Sequence, residues 1–142
     1  MRKDGMADQA DKIEFELVSP VKLLLSELVE MVVVPGVEGD VGILPGHSPL
    51  ICSVRPGVID IHEGGTVRES IFVAGGFAEI SLERCTVLVE EAVRVGDIDR
   101  KEAEKRLKAA TAAEAEADAF DRKAAEGARR IAEAKVAADT SG

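Results

Sequence analysis

Residues Val32 to Leu50 constrain this chain more than any other stretch. They read as an apolar run, a punctuated segment and a second apolar run, with three prolines and four glycines among nineteen residues. Proline fixes φ near about −65° and glycine admits φ > 0, so such a segment is held by its own backbone and presents its side chains reproducibly. The pattern predicts a long, stiff loop between two strands. Taken alone, a connector of this composition needs no function beyond turning the chain.

Short β-like segments surround it. Ile13, Phe15 and Leu17 alternate with Glu14, Glu16 and Val18, the period of two that puts one face of a strand on a core. Ser19-Pro20 ends that strand, and Val21–Leu25 and Leu28–Val34 read as two more extended segments. After the loop come Leu50–Val54, a type II turn at Arg55-Pro56-Gly57, a strand through Val58, Ile59 and Ile61, and a hairpin turn at Gly64-Gly65. Val67–Val73, Phe77–Leu82 and Cys85–Val89 complete the series. Strands spaced about eight to twelve residues apart predict an antiparallel sandwich, here of about ten strands. Gly75-Gly76 has no Lys-Ser/Thr after it and no helix to open, so it reads as a close strand crossing or bulge and not as a phosphate cradle.

At Gly96-Asp97 the pattern changes. Asp97 is a candidate helix cap, and from Ile98 onward there is no proline and no glycine before Gly127. Ala103, Leu107, Ala110, Ala113, Ala117, Phe120, Ala124, Ala128 and Ile131 recur at intervals of three or four, which is a helical stripe. Alanine offers one methyl each, about 0.8 kcal/mol when buried, so this part is weakly anchored and able to move. The stripe alone is compatible with one long helix or with a hairpin. The organisation expected is a flexible tail over 1–11, a β-sandwich over 12–95, a helical domain over 98–138 and a flexible C-terminus over 139–142.

Residues 98–142 carry ten basic and ten acidic side chains, so the whole net charge of −9 sits on residues 1–97. That argues against nucleic acid and against direct adsorption to an anionic bilayer. Any association with a membrane is expected to be indirect, through partners, since no run approaches the roughly eighteen apolar residues needed to span a bilayer. Cys52 and Cys85 lie in apolar runs as small hydrophobes, which suits a reducing, cytoplasmic compartment. His47 and His62 have no nucleophile or metal-ligand partners at useful spacing, and the acidic pairs Glu38/Asp40 and Glu90/Glu91 lack the further oxygens a hard cation requires. No catalytic residue, metal or cofactor is expected.

The string VPGxEGxxGILPGHxPL over Val34–Leu50 resembles the signature of the epsilon subunit of bacterial F-type ATP synthase, the counterpart of mitochondrial delta. The resemblance extends through Phe15–Pro20, Arg55–Gly57, Phe72–Glu79 and Thr86–Ala92. It implies a β-sandwich followed by an antiparallel two-helix hairpin, whose turn is expected near Ala112–Asp118. It further implies a non-catalytic rotor subunit that sits with gamma on the c-ring, couples rotation to ATP synthesis and restrains ATP hydrolysis through its helices, which would meet alpha and beta. The place implied is the cytoplasmic face of the bacterial inner membrane. The loop residues Val37, Glu38, Asp40 and His47 would then face the c-ring and gamma.

Some bacterial members of the family bind ATP through I/L-D-x-x-R-A at the start of the first helix. Here the matching residues are Ile98, Asp99, Arg100, Lys101, Glu102 and Ala103. Ile98, Asp99 and Ala103 match, but Glu102 puts a negative charge where the motif has arginine, so only feeble ATP binding is expected. The alternative to the rotor reading is an autonomous β-sandwich that binds a small ligand and carries a helical dimerisation arm. It predicts a deep polar pocket with clustered titratable groups.

Overall fold

The computed structural model describes residues 12–139. The tail expected over 1–11 and the last three residues fall outside that range. Ten strands are present: β1 (Ile13–Val18), β2 (Leu23–Val29), β3 (Met31–Gly36), β4 (Gly39–Ile43), β5 (Leu50–Val54), β6 (Gly57–Glu63), β7 (Thr66–Val73), β8 (Gly76–Ile80), β9 (Arg84–Val89) and β10 (Ala92–Arg94). A 3₁₀ turn (Val95–Asp97) leads to helices α1 (Arg100–Glu116) and α2 (Arg122–Ala138). Along the sheet the order is β10-β7-β6-β3-β5-β8-β9-β1-β2, with β4 hydrogen-bonded to β3 off this path.

The sheet curls because β3 changes partners along its length. Met31, Val32 and Val33 pair with β6, whereas β5 meets β3 only through Gly36 and Val54. The turn of the sheet at Gly36 brings two layers face to face. Alternate residues fill the space between them: Ile13, Phe15 and Leu17 from β1, Val32 and Val34 from β3, Ile59 and Ile61 from β6, Cys85, Val87 and Val89 from β9, all buried. Burial pushes the Cys85 thiol up to about 12, with the neighbouring Cys52 adding to the shift, so it packs as an apolar group.

Several local expectations change. The segment read as a long loop contains β4, which pairs with β3 from Gly36↔Gly39 to Val32↔Ile43 and leaves only Val37-Glu38 as a two-residue turn. Two glycines and an aspartate in five residues hid that strand, and only Val41 and Ile43 face inward. The break between β2 and β3 falls at Glu30, not between Leu25 and Leu28. Gly57 is not at positive φ, so Arg55-Pro56-Gly57 is no type II turn; a Cβ on Gly57 would lie 3.1 Å from that of Pro35, and close packing there explains the glycine. Gly64 and Gly65, both at positive φ, make the expected hairpin turn. The pairings are antiparallel except one, since β1 and β9 run parallel.

Helix α1 starts later than Asp97. Asp99 is its N-cap, accepting the Glu102 N–H at 3.2 Å. The two helices do fold back on each other, but the turn spans 117–121, a few residues beyond the expected place, where Asp118 accepts the Asp121 N–H at 2.9 Å. Arg129 on α2 holds Glu114 on α1 at 2.6 Å, and Arg100 at the start of α1 reaches the buried Asp139 just past α2 at 3.5 Å.

The hairpin covers the outer face of the β10-β7-β6 layer. Phe72 points away from the main core, yet it is fully buried among Ile98, Ala103 and Ala138, with Val58, Val93, Ile131, Ala134 and Val136 around them. Ile71, Phe72 and Val73 are therefore buried in succession, the mark of a strand covered on both faces. Among the described residues no helix lies over the opposite layer in this way.

Candidate partner-binding surfaces

Four places carry the candidate residues. At the β3–β4 turn, Val37, Glu38 and Asp40 are exposed. The turn is braced from behind by Arg55, which donates to Gly36 O at 2.5 Å and to Asp40 Oδ1 at 2.7 Å, while its own N–H bonds to Pro35 O at 2.8 Å. The Val37 N–H bonds to Ser53 O at 3.0 Å. The tip is thus rigid through backbone bonds, as its composition promised, and its charge is split between Glu38 and an Asp40 already paired.

His47 is elsewhere. Strand β4 runs away from the tip, about 13 Å over its length at 3.3 Å per residue. His47 lies in the following segment beside the β8–β9 turn, where Gly46 N–H bonds to Leu82 O at 2.8 Å. Its Nδ1 is 2.7 Å from Ser48 O, so the ring is engaged with its own backbone. The structure brings Val37, Glu38 and Asp40 together and sets His47 at the other end of the strand.

The third place was not visible in the sequence. On the uncovered face of the second layer, Ser53 pairs with Phe77, Phe77 with Leu88, Leu88 with Val18, and Val18 with Leu23. Directly paired residues share a face, so Phe77, Leu88, Val18 and Leu23 form a continuous apolar row across four strands. Phe77 is 58% exposed, and Ile51, one pair along on the same face, is 71% exposed. Beside the row runs a polar one, in which Glu79 is paired with Thr86 and the Thr86 hydroxyl donates to Glu16 Oε1 at 3.2 Å. An aromatic anchor among aliphatic residues with a polar rim is the make-up of a protein interface. The row opens into a groove of about 800 Å³ between the Ala74–Gly76 turn and Gly127, Arg130 and Ile131 of α2. Its floor depends on Gly76: a Cβ there would stand 1.9 Å from Leu88 O. Gly75-Gly76 is the close crossing its sequence indicated. The signal for the row was an apolar residue at out-facing positions of β8 and β9, but only the register shows that those positions are neighbours.

The fourth place is the junction of sheet and helices. Ile98 and Ala103 are buried in the cluster around Phe72, and Asp99 caps α1. Arg100 is engaged by Glu104 at 3.2 Å and by Asp139, and Glu102 is exposed. Just before β10, Glu91 accepts from Arg106 Nη1 at 3.0 and 2.9 Å and from Lys135 Nζ at 3.0 Å. Among the described residues no group of three or more His, Cys, Asp or Glu side chains is placed to hold a metal ion, and no helix is long and apolar enough to cross a membrane.

Residues 12–95 match the family model described as ATP synthase, Delta/Epsilon chain, beta-sandwich domain. Two curated relatives are each named ATP synthase epsilon chain. That of Paramagnetospirillum magneticum is 64% identical over 101 residues, 71% of this chain and 76% of the relative. That of Rhodospirillum rubrum is 52% identical over 131 residues, 91% of this chain and 97% of the relative. Among solved structures, a chain of the Euglena gracilis mitochondrial ATP synthase superposes with a TM-score of 0.77 at 28% identity, covering 90% of this chain and 81% of that one; the structure is of OSCP, F1 and the c-ring in one rotational state. A chain from the central stalk and c-ring of the Tetrahymena thermophila enzyme shares the fold, with a TM-score of 0.57 at 18% identity. The β-sandwich with its helical hairpin, and the sequence match that runs nearly end to end, place this chain in the ATP synthase delta/epsilon family.

Proposed function

We propose that the chain is the non-catalytic central-stalk subunit of a proton-translocating F1Fo ATP synthase, coupling the rotation of the c-ring and gamma to ATP synthesis. The observation that carries this reading is the near full-length match to an ATP synthase epsilon chain, helices included. A stiff, doubly layered sheet with a braced turn at one place and an apolar row at another suits a part that transmits torque between neighbours. Its chemistry is mechanical.

Within the assembly, the row Phe77–Leu88–Val18 and the groove above it are the surface for gamma, being an exposed apolar area with an aromatic anchor. The Val37–Asp40 turn faces the polar loops of the c-ring. The hairpin is the part that meets alpha and beta and restrains ATP hydrolysis, since its anchorage is slight. The subunit would be held at the cytoplasmic face of the bacterial inner membrane through these partners, with no lipid contact of its own.

Affinity purification of the tagged full chain from its native membranes tests the reading. Recovery of alpha, beta, gamma and c subunits is the expected result. Recovery of the chain alone, from membranes in which the assembled synthase is active, would overturn it.

A further inference from the structure

In the cluster around Phe72 the helices contribute Ala103 and Ala138 as buried residues, with Ile131, Ala134 and Val136 partly buried beside them. Against that background the carboxylate of Glu91 stands out. Its backbone is fixed to the sheet, the Ala74 N–H donating to Glu91 O at 3.0 Å. Its side chain faces one cation from each helix, Arg106 of α1 and Lys135 of α2, both within 3.0 Å of the same Oε2. With the carboxylate gone, the cations of two adjacent helices would lose the anion they share here.

We propose that Glu91 is a charge clasp that sets how often the hairpin leaves the sheet. It neutralises Arg106 and Lys135 together only while both helices are docked. Undocking therefore separates the carboxylate from both partners in one step, and the docked form gains a charge-dependent cooperativity beyond the apolar contacts around Phe72. The side chains of Glu91, Arg106 and Lys135 are 30%, 41% and 21% exposed, so the attraction is open to screening by salt. The clasp acts in the isolated chain, whatever the released helices do in an assembly.

Hydrogen exchange followed by mass spectrometry on the isolated full chain tests it, comparing wild type, Glu91→Gln and Glu90→Gln at low and high salt. Glu90 borders the same groove and has the same charge. In Glu91→Gln, amides of both helices should exchange about tenfold faster, with strand amides around Phe15 and Val87 unchanged, while Glu90→Gln stays close to wild type. Raising salt to about 1 M, where the Debye length falls to roughly 3 Å, should speed helix exchange in wild type and much less in Glu91→Gln. Equal helix exchange in wild type and Glu91→Gln, or an equal rise in Glu90→Gln, would overturn the clasp. If Glu91→Gln loosens the sheet as well, the wild-type salt series decides alone, and helix exchange indifferent to salt rejects the proposal.

Discussion

One guanidinium nitrogen of Arg106 lies 3.0 and 2.9 Å from the two carboxylate oxygens of Glu91, across the seam between sheet and hairpin. Burial by itself raises the Glu91 carboxyl, but the hydrogen bonds and charges of Arg106 and Lys135 together outweigh it and hold the group below the usual carboxylate range. A carboxylate whose pKa is lower folded than unfolded lends stability that is complete above the unfolded value, about 4.3, and is lost as pH falls through the lowered native one. The helical part of the thermal transition should therefore weaken in acid, from about pH 4 downward. The difference between wild type and Glu91→Gln isolates this group from the other carboxylates: large at neutral pH, it should shrink toward zero near pH 2 in circular-dichroism melts. A difference independent of pH would show that the Glu91 charge contributes nothing.

Gly76→Ala should be severely destabilising. The residue sits at φ +149°, and its new Cβ would stand 1.9 Å from Leu88 O and 3.0 Å from Leu88 C, both backbone atoms that cannot move without breaking the β8–β9 ladder. About 3 kcal/mol or more is expected, as for other clashes combined with a strained φ. Gly42→Ala is the matched control, with open space at its Cβ and no positive φ, and should change the urea midpoint little.

Alternation made the strands of the β part legible, because a period of two such as Ile13, Phe15, Leu17 has one physical meaning wherever a sheet covers a core. Strand β4 was not, since Gly39, Asp40 and Gly42 are poor strand formers and its place is fixed by pairing with β3. The parallel contact of β1 with β9 was beyond reach for a different reason: Glu14 and Arg84 are paired although seventy residues of chain separate them. The same limit hid the row of Phe77, Leu88 and Val18, whose members are ordinary strand residues until the register sets them side by side. In the hairpin, alanine-rich sequence marks helix well and turns badly, so the pattern gave no turn position, and the connection at 117–121 lies at the far end of the Ala112–Asp118 range that the resemblance implied.

Phe77→Glu should separate folding from assembly. The side chain is more exposed than buried, so the isolated chain should lose about 1 kcal/mol or less in denaturant unfolding. A carboxylate in place of the aromatic member of an apolar row is costly to bury under a partner, and co-purification with the synthase complex should fall at least tenfold. Undiminished co-purification would remove this face from the interface.

Asp40→Lys addresses the braced turn. Its pairing with Arg55 is exposed, with side chains 62% and 43% accessible, and exposed pairs contribute about 0–1 kcal/mol. Arg55 keeps its bond to Gly36 O, so the turn should hold and the stability of the isolated chain should change by about 1 kcal/mol at most. Proton pumping or assembly of the complex should nevertheless weaken, because the charge presented by the tip is reversed. Pumping and assembly equal to wild type would reject a direct role for the turn.

Binding of Mg-ATP by the isolated chain should be feeble. In the stretch Ile98–Ala103, the two apolar residues are already committed to the cluster around Phe72, and the Asp99 carboxylate caps α1. The nearest arginine, Arg100, is held by Glu104 and Asp139, and two positions along a helix turn a side chain by about 200°, so it does not stand in for a cation at 102. Glu102 itself is exposed and negative where phosphate oxygens would need a bidentate donor. Its backbone N–H, bonded to Asp99, is untouched by a change of side chain, which makes Glu102→Arg a clean reversal at the helix surface. Calorimetric titration should find little heat with wild type and a measurable gain with Glu102→Arg. Tight binding by wild type with no gain in the variant would mean that a different set of side chains holds the nucleotide and that the charge at 102 is irrelevant to it.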